Sequence, residues 1–160
     1  MSFKQEKCTV YKLEEINECC RKNAAEFIRE CDAIYAARLE DAADRITANL
    51  PNSPIVLLSG PSGSGKTTTS MKIAEVLSRR GIKTHSIAMD NYFRTITPAD
   101  VPRTPDGQYD LESPLCLDMD LLNDHFTKLT RGERIFVPKY EFSRRMRVQS
   151  PSKTLKLNKN

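Results

Sequence analysis

Gly60-Pro61-Ser62-Gly63-Ser64-Gly65-Lys66-Thr67 decides how this chain of 160 residues is read. It fits G-x-x-x-x-G-K-[ST], a spacing whose chemistry is phosphate binding. Glycines let the backbone bend so that successive N–H groups point inward at an anion. A helix beginning near Gly65 adds the positive end of its dipole. Lys66 can then reach β- and γ-phosphate oxygens, and the Thr67 hydroxyl can bind Mg²⁺. The nucleotide-contacting set expected from this stretch is Gly60, Ser62, Gly63, Ser64, Gly65, Lys66, Thr67 and the adjoining Thr68.

The flanks supply the context the motif requires. Ile55-Val56-Leu57-Leu58-Ser59 is a short apolar run that reads as a buried strand. Thr68 to Arg80 has Ile73, Val76 and Leu77 on one helical face, and Gly81 supplies a left-handed stop. Lys83-Thr84-His85-Ser86-Ile87-Ala88-Met89 reads as a second strand ending at Asp90. A strand-helix-strand order gives a right-handed parallel unit, with both strands ending at the sheet edge where ligands of open α/β sheets bind. Asp90 is therefore expected on the same side as the phosphate loop.

Upstream, Leu13 to Leu50 contains neither Gly nor Pro, and Leu13, Ile16, Cys20, Phe27, Cys31, Ile34, Leu39 and Ile46 recur at three- and four-residue steps. This predicts one long or two shorter amphipathic helices, with Asn23 or Asp32 marking a break. Such helices form a layer packed on the nucleotide domain, or a homodimerisation surface. Asn49-Leu50-Pro51-Asn52-Ser53-Pro54 is a linker by composition. The expected organisation is a helical extension over 1–50, a linker over 51–54 and a nucleotide-binding core over 55–160. Downstream, residues 94–115 read as a long ordered loop or lid, Leu117 to Thr130 as a helix, and Arg134–Pro138 with Met146–Gln149 as a hairpin. Thr154 to Leu157 reads as the start of a further strand.

Composition excludes several classes. No apolar run approaches the roughly 20 residues that span a bilayer, and Met1 to Lys7 leads into no apolar core of a secretory signal; a cytoplasmic protein without a membrane partner is expected. Cys8, Cys19, Cys20, Cys31 and Cys116 show no C-x-x-C spacing, so reduced thiols are expected and no structural zinc. Nine of the 25 Lys and Arg fall between Arg131 and Lys159. Such a stretch suits nucleic acid, a multiply phosphorylated substrate, or plain solvation. Aromatic pairs set among basic residues are lacking, so nucleic acid is not the expected partner.

The phosphate loop followed by Met89-Asp90-Asn91-Tyr92-Phe93-Arg94, then Tyr109-Asp110-Leu111-Glu112-Ser113-Pro114 with Asp118, then Pro138-Lys139-Tyr140-Glu141-Phe142 with Arg147, resembles the uridine kinase and phosphoribulokinase family. Order and spacing agree across residues 55–150. The resemblance implies a P-loop NTPase-type α/β fold with a parallel sheet, and ATP- and Mg²⁺-dependent phosphoryl transfer to a hydroxyl of a nucleoside or sugar-like molecule. It implies that Asp90 is the catalytic carboxylate near the metal, working with Lys66. It also implies that Glu112 and Tyr140 contact the acceptor, with Arg145 and Arg147 able to reach acceptor or phosphates. Two departures fall on the acceptor side: Tyr92-Phe93 stands where uridine kinases tend to have Phe-Tyr, and Arg145 stands where they have histidine. Family members continue past the position of Asn160 with a further core strand and a lid, so the resemblance implies a sheet incomplete at its C-terminal side. A non-catalytic nucleotide-binding or regulatory module, contacting RNA or a protein partner, is the alternative. A GTPase is a weaker third choice, because no N-K-x-D stretch is present.

Overall fold

The computed structural model describes residues 12–95, 97, 100–111 and 113–157. In chain order these form α1 (Leu13–Asn49), α2 (Lys66–Arg79), 3-10 turns at Met89–Tyr92 and Pro114–Cys116, α3 (Met119–Thr130), β1 (Arg134–Glu141) and β2 (Met146–Lys156).

The long Gly- and Pro-free stretch is helical, with its break at Asn23 and not at Asp32 (φ −161°, ψ 90° at Asn23). Asn23 restarts the helix as its own cap. Its Oδ1 accepts from Glu26 N–H at 3.2 Å and its Nδ2 donates to Glu26 Oε2 at 3.0 Å. This is the reciprocal logic of a capping box, with asparagine in the capping place. Only the C-terminal part of α1 buries anything. Leu39 and Ala43 meet Val76 and Leu77 of α2, with Ile46, Ile73 and Ile82 around them. Farther up the helix Leu13, Ile28 and Ile34 lie exposed. Polar contacts flank the seam: Tyr35 Oη lies 3.0 Å from Thr69 Oγ1, and Glu40 accepts from both Arg79 and Arg80. Arg80 also donates to Asp44. Exposed ion pairs add little energy individually, so the apolar seam holds the helices together and the charges set their register.

α2 ends as the sequence predicts. Gly81 is left-handed (φ 78°). Gly81 N–H reaches Ser78 O at 3.0 Å and Ile82 N–H reaches Leu77 O at 2.9 Å, the paired bonds of a Schellman stop.

A second core lies on the C-terminal side. Tyr92, Leu122, Leu129, Ile135, Val137 and Leu155 are buried together, with Ile87, Leu117 and Phe126 packed against them. α3 starts two residues later than the helix expected from Leu117, because Asp118 serves as its cap and accepts from Leu121 N–H at 3.1 Å. β1 and β2 pair antiparallel, and β2 runs unbroken through both segments expected as separate strands. The ladder is irregular between Val137↔Lys153 and Lys139↔Val148. Pro138 lies at that point on β1 and Pro151 on β2, and neither can donate a ladder hydrogen bond.

The two segments expected as parallel strands carry no strand ladder among the described residues: Ile55–Ser59 and Lys83–Ala88 are irregular. Val56 is 57% and Leu57 72% exposed. Strand pairing is a property of two chains' backbones, since each N–H and C=O needs a partner; an apolar run by itself cannot supply one. The sheet among the described residues is the antiparallel β1–β2 pair. The 94–115 stretch is ordered where described. Thr104 N–H bonds Gln108 O at 2.9 Å around left-handed Gly107, and Arg103 stacks on the Tyr109 ring at 4.8 Å.

Leu77→Ala is expected to cost about 2–5 kcal/mol in urea unfolding, as a truncation inside the α1–α2 seam. Ile28→Ala, on the exposed part of α1, is expected to change stability by less than about 0.5 kcal/mol. Equal effects would show that the upper part of α1 is packed.

Candidate active site

The phosphate loop connects Ser59 to α2 by a backbone that only glycine adopts freely. Gly63 and Gly65 sit at φ 71° and 81°. Gly60 meets a different constraint: a Cβ there would lie 3.0 Å from Ser64 Oγ and 3.6 Å from Lys66 Cγ. The loop folds on itself, with Ser64 N–H to Pro61 O at 3.3 Å and Lys66 Nζ to Pro61 O at 2.8 Å. Gly65 is the cap residue of α2 and gives no side-chain cap hydrogen bond, and the first turn of α2 carries no acid. The first amides of a helix have no intrahelical partner. A glycine-shaped loop that leads into the N-terminus of a helix, with a lysine at its first position, is the kind of arrangement that suits phosphate oxygens. Ser62, Ser64, Thr67 and Thr68 are exposed along it.

Asp90 lies in the Met89–Tyr92 turn with its side chain exposed. The turn is fastened at its far end. Tyr92 O accepts from Asp118 N–H at 2.8 Å, and Arg94 N–H donates to Cys116 O at 2.8 Å. Arg147 reaches in from β2. Its Nη1 donates to Asp118 Oδ2 at 2.9 Å and its Nη2 to the carbonyls of Tyr92 and Phe93, each at 3.2 Å. Below the turn the Tyr92 hydroxyl pairs with His125 Nδ1 at 2.9 Å, with the rings edge to face.

Charge and burial tune this cluster. Burial pushes the Tyr92 phenol up to about 12, against the opposing pull of the Arg147 charge. Burial also raises the Asp118 carboxyl, but the hydrogen bonds from Arg147 and Leu121 N–H, with the Arg147 and Arg94 charges, outweigh it and leave the group below the ordinary carboxylate value. Burial holds the His125 imidazole below its ordinary range.

Tyr140 belongs to an aromatic trio. Its ring centroid is 5.5 Å from Phe93 and 5.0 Å from Phe142, and Phe93 and Phe142 are 5.8 Å apart. Phe142 is 60% exposed, so the trio is open to solvent on one side. The structure thus brings Tyr140 and Arg147 onto the two residues that follow the Asp90 turn's core. Arg145 stands outside this group: it is exposed and left-handed (φ 51°) in the hairpin loop. Glu112 lies outside the described residues. The loop's hydrogen bonds run within it and into α2, with none to the Asp90 turn among the described residues. Sequence reasoning did not single out Phe93, Phe142 or His125 for the site. The one signal for Phe142 was its place two residues after Tyr140, at the start of the hairpin turn.

A pH effect follows from His125. An imidazole held low in the folded state takes up its proton first in the unfolded chain, so stability is full above about pH 6.5 and falls as pH drops through the lowered value. Asp118 adds to the loss further down, because a depressed carboxyl stabilises above its unfolded value and ceases to as it protonates. Urea midpoints measured at pH 7.5 and 5.5 are expected to fall for the wild type and to stay level for His125→Phe. A wild-type midpoint unchanged between these values would refute the assignment.

Comparison with known proteins supplies the remaining link. A profile described as the phosphoribulokinase / uridine kinase family matches residues 55–158, which include the loop, the turn, α3 and the hairpin. Uridine kinase of Schizosaccharomyces pombe is 26% identical over 116 residues, covering 69% of this chain and 25% of that protein. Uridine kinase of Saccharomyces cerevisiae is 32% identical over 94 residues, covering 59% and 18%. Uridine kinase of Deinococcus deserti is 30% identical over 101 residues, covering 63% and 47%. The chain therefore spans less than half the length of each of these relatives. With the match running through most of the chain and through every element that carries the candidate site, this protein belongs to the phosphoribulokinase / uridine kinase family.

Proposed function

We propose that the chain carries the nucleotide-binding part of an ATP-dependent small-molecule kinase, which transfers a phosphoryl group to a hydroxyl of a nucleoside resembling uridine. The family match through loop, turn and hairpin in that order is the observation that carries this reading. Residues 55–160 form the kinase core, 51–54 the linker and 1–50 a helical extension that also offers a surface to a second copy. On this reading 55–59 and 83–88 belong to a parallel sheet, a place that suits the apolar run Ile55-Val56-Leu57-Leu58. The protein is read as cytoplasmic; no helix among the described residues is long and apolar enough to cross a membrane.

Each residue has a task suited to its chemistry. The amides of Gly63 and of Gly65 to Thr68 hold the β- and γ-phosphates, and Lys66 gives its ammonium to them in place of Pro61 O. Phosphoryl transfer asks the protein mainly for positioning and for neutralising charge. The Thr67 hydroxyl and the Asp90 carboxylate would hold Mg²⁺, which when bound would supply the neutralisation of charge. That small donor set suits an ion that takes most of its ligands from water and substrate phosphates; among the described residues no group of three His, Cys, Asp or Glu is gathered for a metal. Asp90 orients the acceptor hydroxyl and takes its proton on a carboxylate oxygen. The Phe93–Tyr140–Phe142 rings offer a flat apolar wall to a base, and Glu112 and Arg145 serve the acceptor's polar groups.

Asp90→Asn preserves shape and removes the proton acceptor. In a coupled ADP-release assay with uridine, kcat is expected to fall by about 10²–10⁴-fold, with binding of Mg·ATP kept within a few-fold. Full turnover in Asp90→Asn would remove the residue from the reaction.

A further inference from the structure

The turn that carries Asp90 is a single short 3-10 turn. At its ends Asn91 N–H reaches Ala88 O at 3.2 Å and Phe93 N–H reaches Asp90 O at 3.3 Å. A single 3-10 turn of this kind has poor hydrogen-bond geometry. Support from outside the turn converges on one side chain.

The Arg147 guanidinium bonds three acceptors on two elements. Two are the carbonyls of Tyr92 and Phe93, at the end of the turn, and the third is Asp118, the cap of α3. Asp118 uses its other oxygen for Leu121 N–H and its own N–H for Tyr92 O. The Arg147 backbone N–H adds a bond to Thr95 Oγ1 at 3.0 Å. Turn, α3 and hairpin are thus tied at one cation. β2 delivers it there: Arg147 lies opposite Tyr140 in the ladder, just after a hairpin loop whose last residue, Arg145, is left-handed. Arg147 Nε is buried and has no hydrogen-bond partner among the described residues. An unpaired buried donor is costly, so the contacts of the two Nη groups have that cost to offset. Lysine, a point charge without the planar fork, cannot span the same acceptors.

We propose that Arg147 is a positioning residue that fixes the direction of Asp90 by clamping the carbonyls at the end of its turn, and that it does so without touching the acceptor. The proposal rests on the kinase reading for the role of Asp90 and on geometry for the clamp itself.

The test uses the full chain as wild type, Arg147→Met, Arg147→Lys and Asp118→Asn. Hydrogen exchange is read over 88–95 and, as an internal reference, over α2; phosphotransfer from ATP to uridine is measured in parallel. Arg147→Met is expected to speed exchange at Phe93 and Arg94 tenfold or more while α2 keeps its wild-type rates. Asp118→Asn, which leaves the two carbonyl contacts, should give a smaller rise. In turnover, Arg147→Met is expected to lose at least tenfold in kcat with both KM values within twofold, and Arg147→Lys to fall between. Should Arg147→Met not fold, Arg147→Lys and Asp118→Asn carry the same comparison with smaller amplitudes. Unchanged exchange at the turn in all folded variants overturns the clamp. A raised KM for uridine with kcat preserved overturns it too, by placing Arg147 on the acceptor. If the wild type phosphorylates nothing, the kinase reading fails by itself, and the exchange rates still decide whether Arg147 holds the turn.

Discussion

A helix must do something with the first amides it cannot pair internally. In α2 those amides follow a left-handed Gly65 that provides no side-chain cap. The loop before them is shaped by Gly63 and Gly65, and a Cβ at Gly60 would crowd the Ser64 hydroxyl at 3.0 Å. An anion suits such an arrangement, because the dipole and the unpaired N–H groups of a helix start favour negative charge. The packing elsewhere secures this start. α1 buries Leu39 and Ala43 against the far turns of α2 and ties Arg79 and Arg80 to Glu40, so the helix is braced away from its open end.

The Asp90 side of the candidate site depends on a different kind of interaction. Asp90 sits on a short turn, and the hairpin fastens that turn through a buried cation and two carbonyls. The Tyr92–His125 pair beneath it is buried and neutral, which anchors the turn in the second core. Two cores thus divide the labour: α1 with α2 supports the phosphate loop, and α3 with the hairpin supports the carboxylate.

Much of this was legible in the residues. The glycine spacing announced the loop, because only glycine meets its backbone angles. Gly81 announced the end of α2, and a break in α1 was legible at Asn23 or Asp32, of which the structure takes Asn23. The hairpin was legible in part; Pro138 made β1 look shorter than it is, since a proline disturbs a ladder without ending it. Contacts made across long stretches of chain were not legible. Phe93 and Tyr140 meet only because the hairpin folds over the turn. Arg147 sits in a basic run that suits solvent or phosphate equally well; its true partners are mostly backbone carbonyls, which have no spelling in sequence. Ile55–Ser59 reads as a strand from its composition, but pairing depends on a neighbour that composition does not name.

The central claim is that the glycine loop and Lys66 form a nucleotide phosphate site in this chain. Calorimetric titration of the purified protein with Mg·ATP, beside Lys66→Ala, addresses it directly. Saturable binding by the wild type, weakened at least tenfold in Lys66→Ala with the fold intact, is the predicted result. Equal affinity in the two proteins, or no binding by a folded wild type, would contradict it.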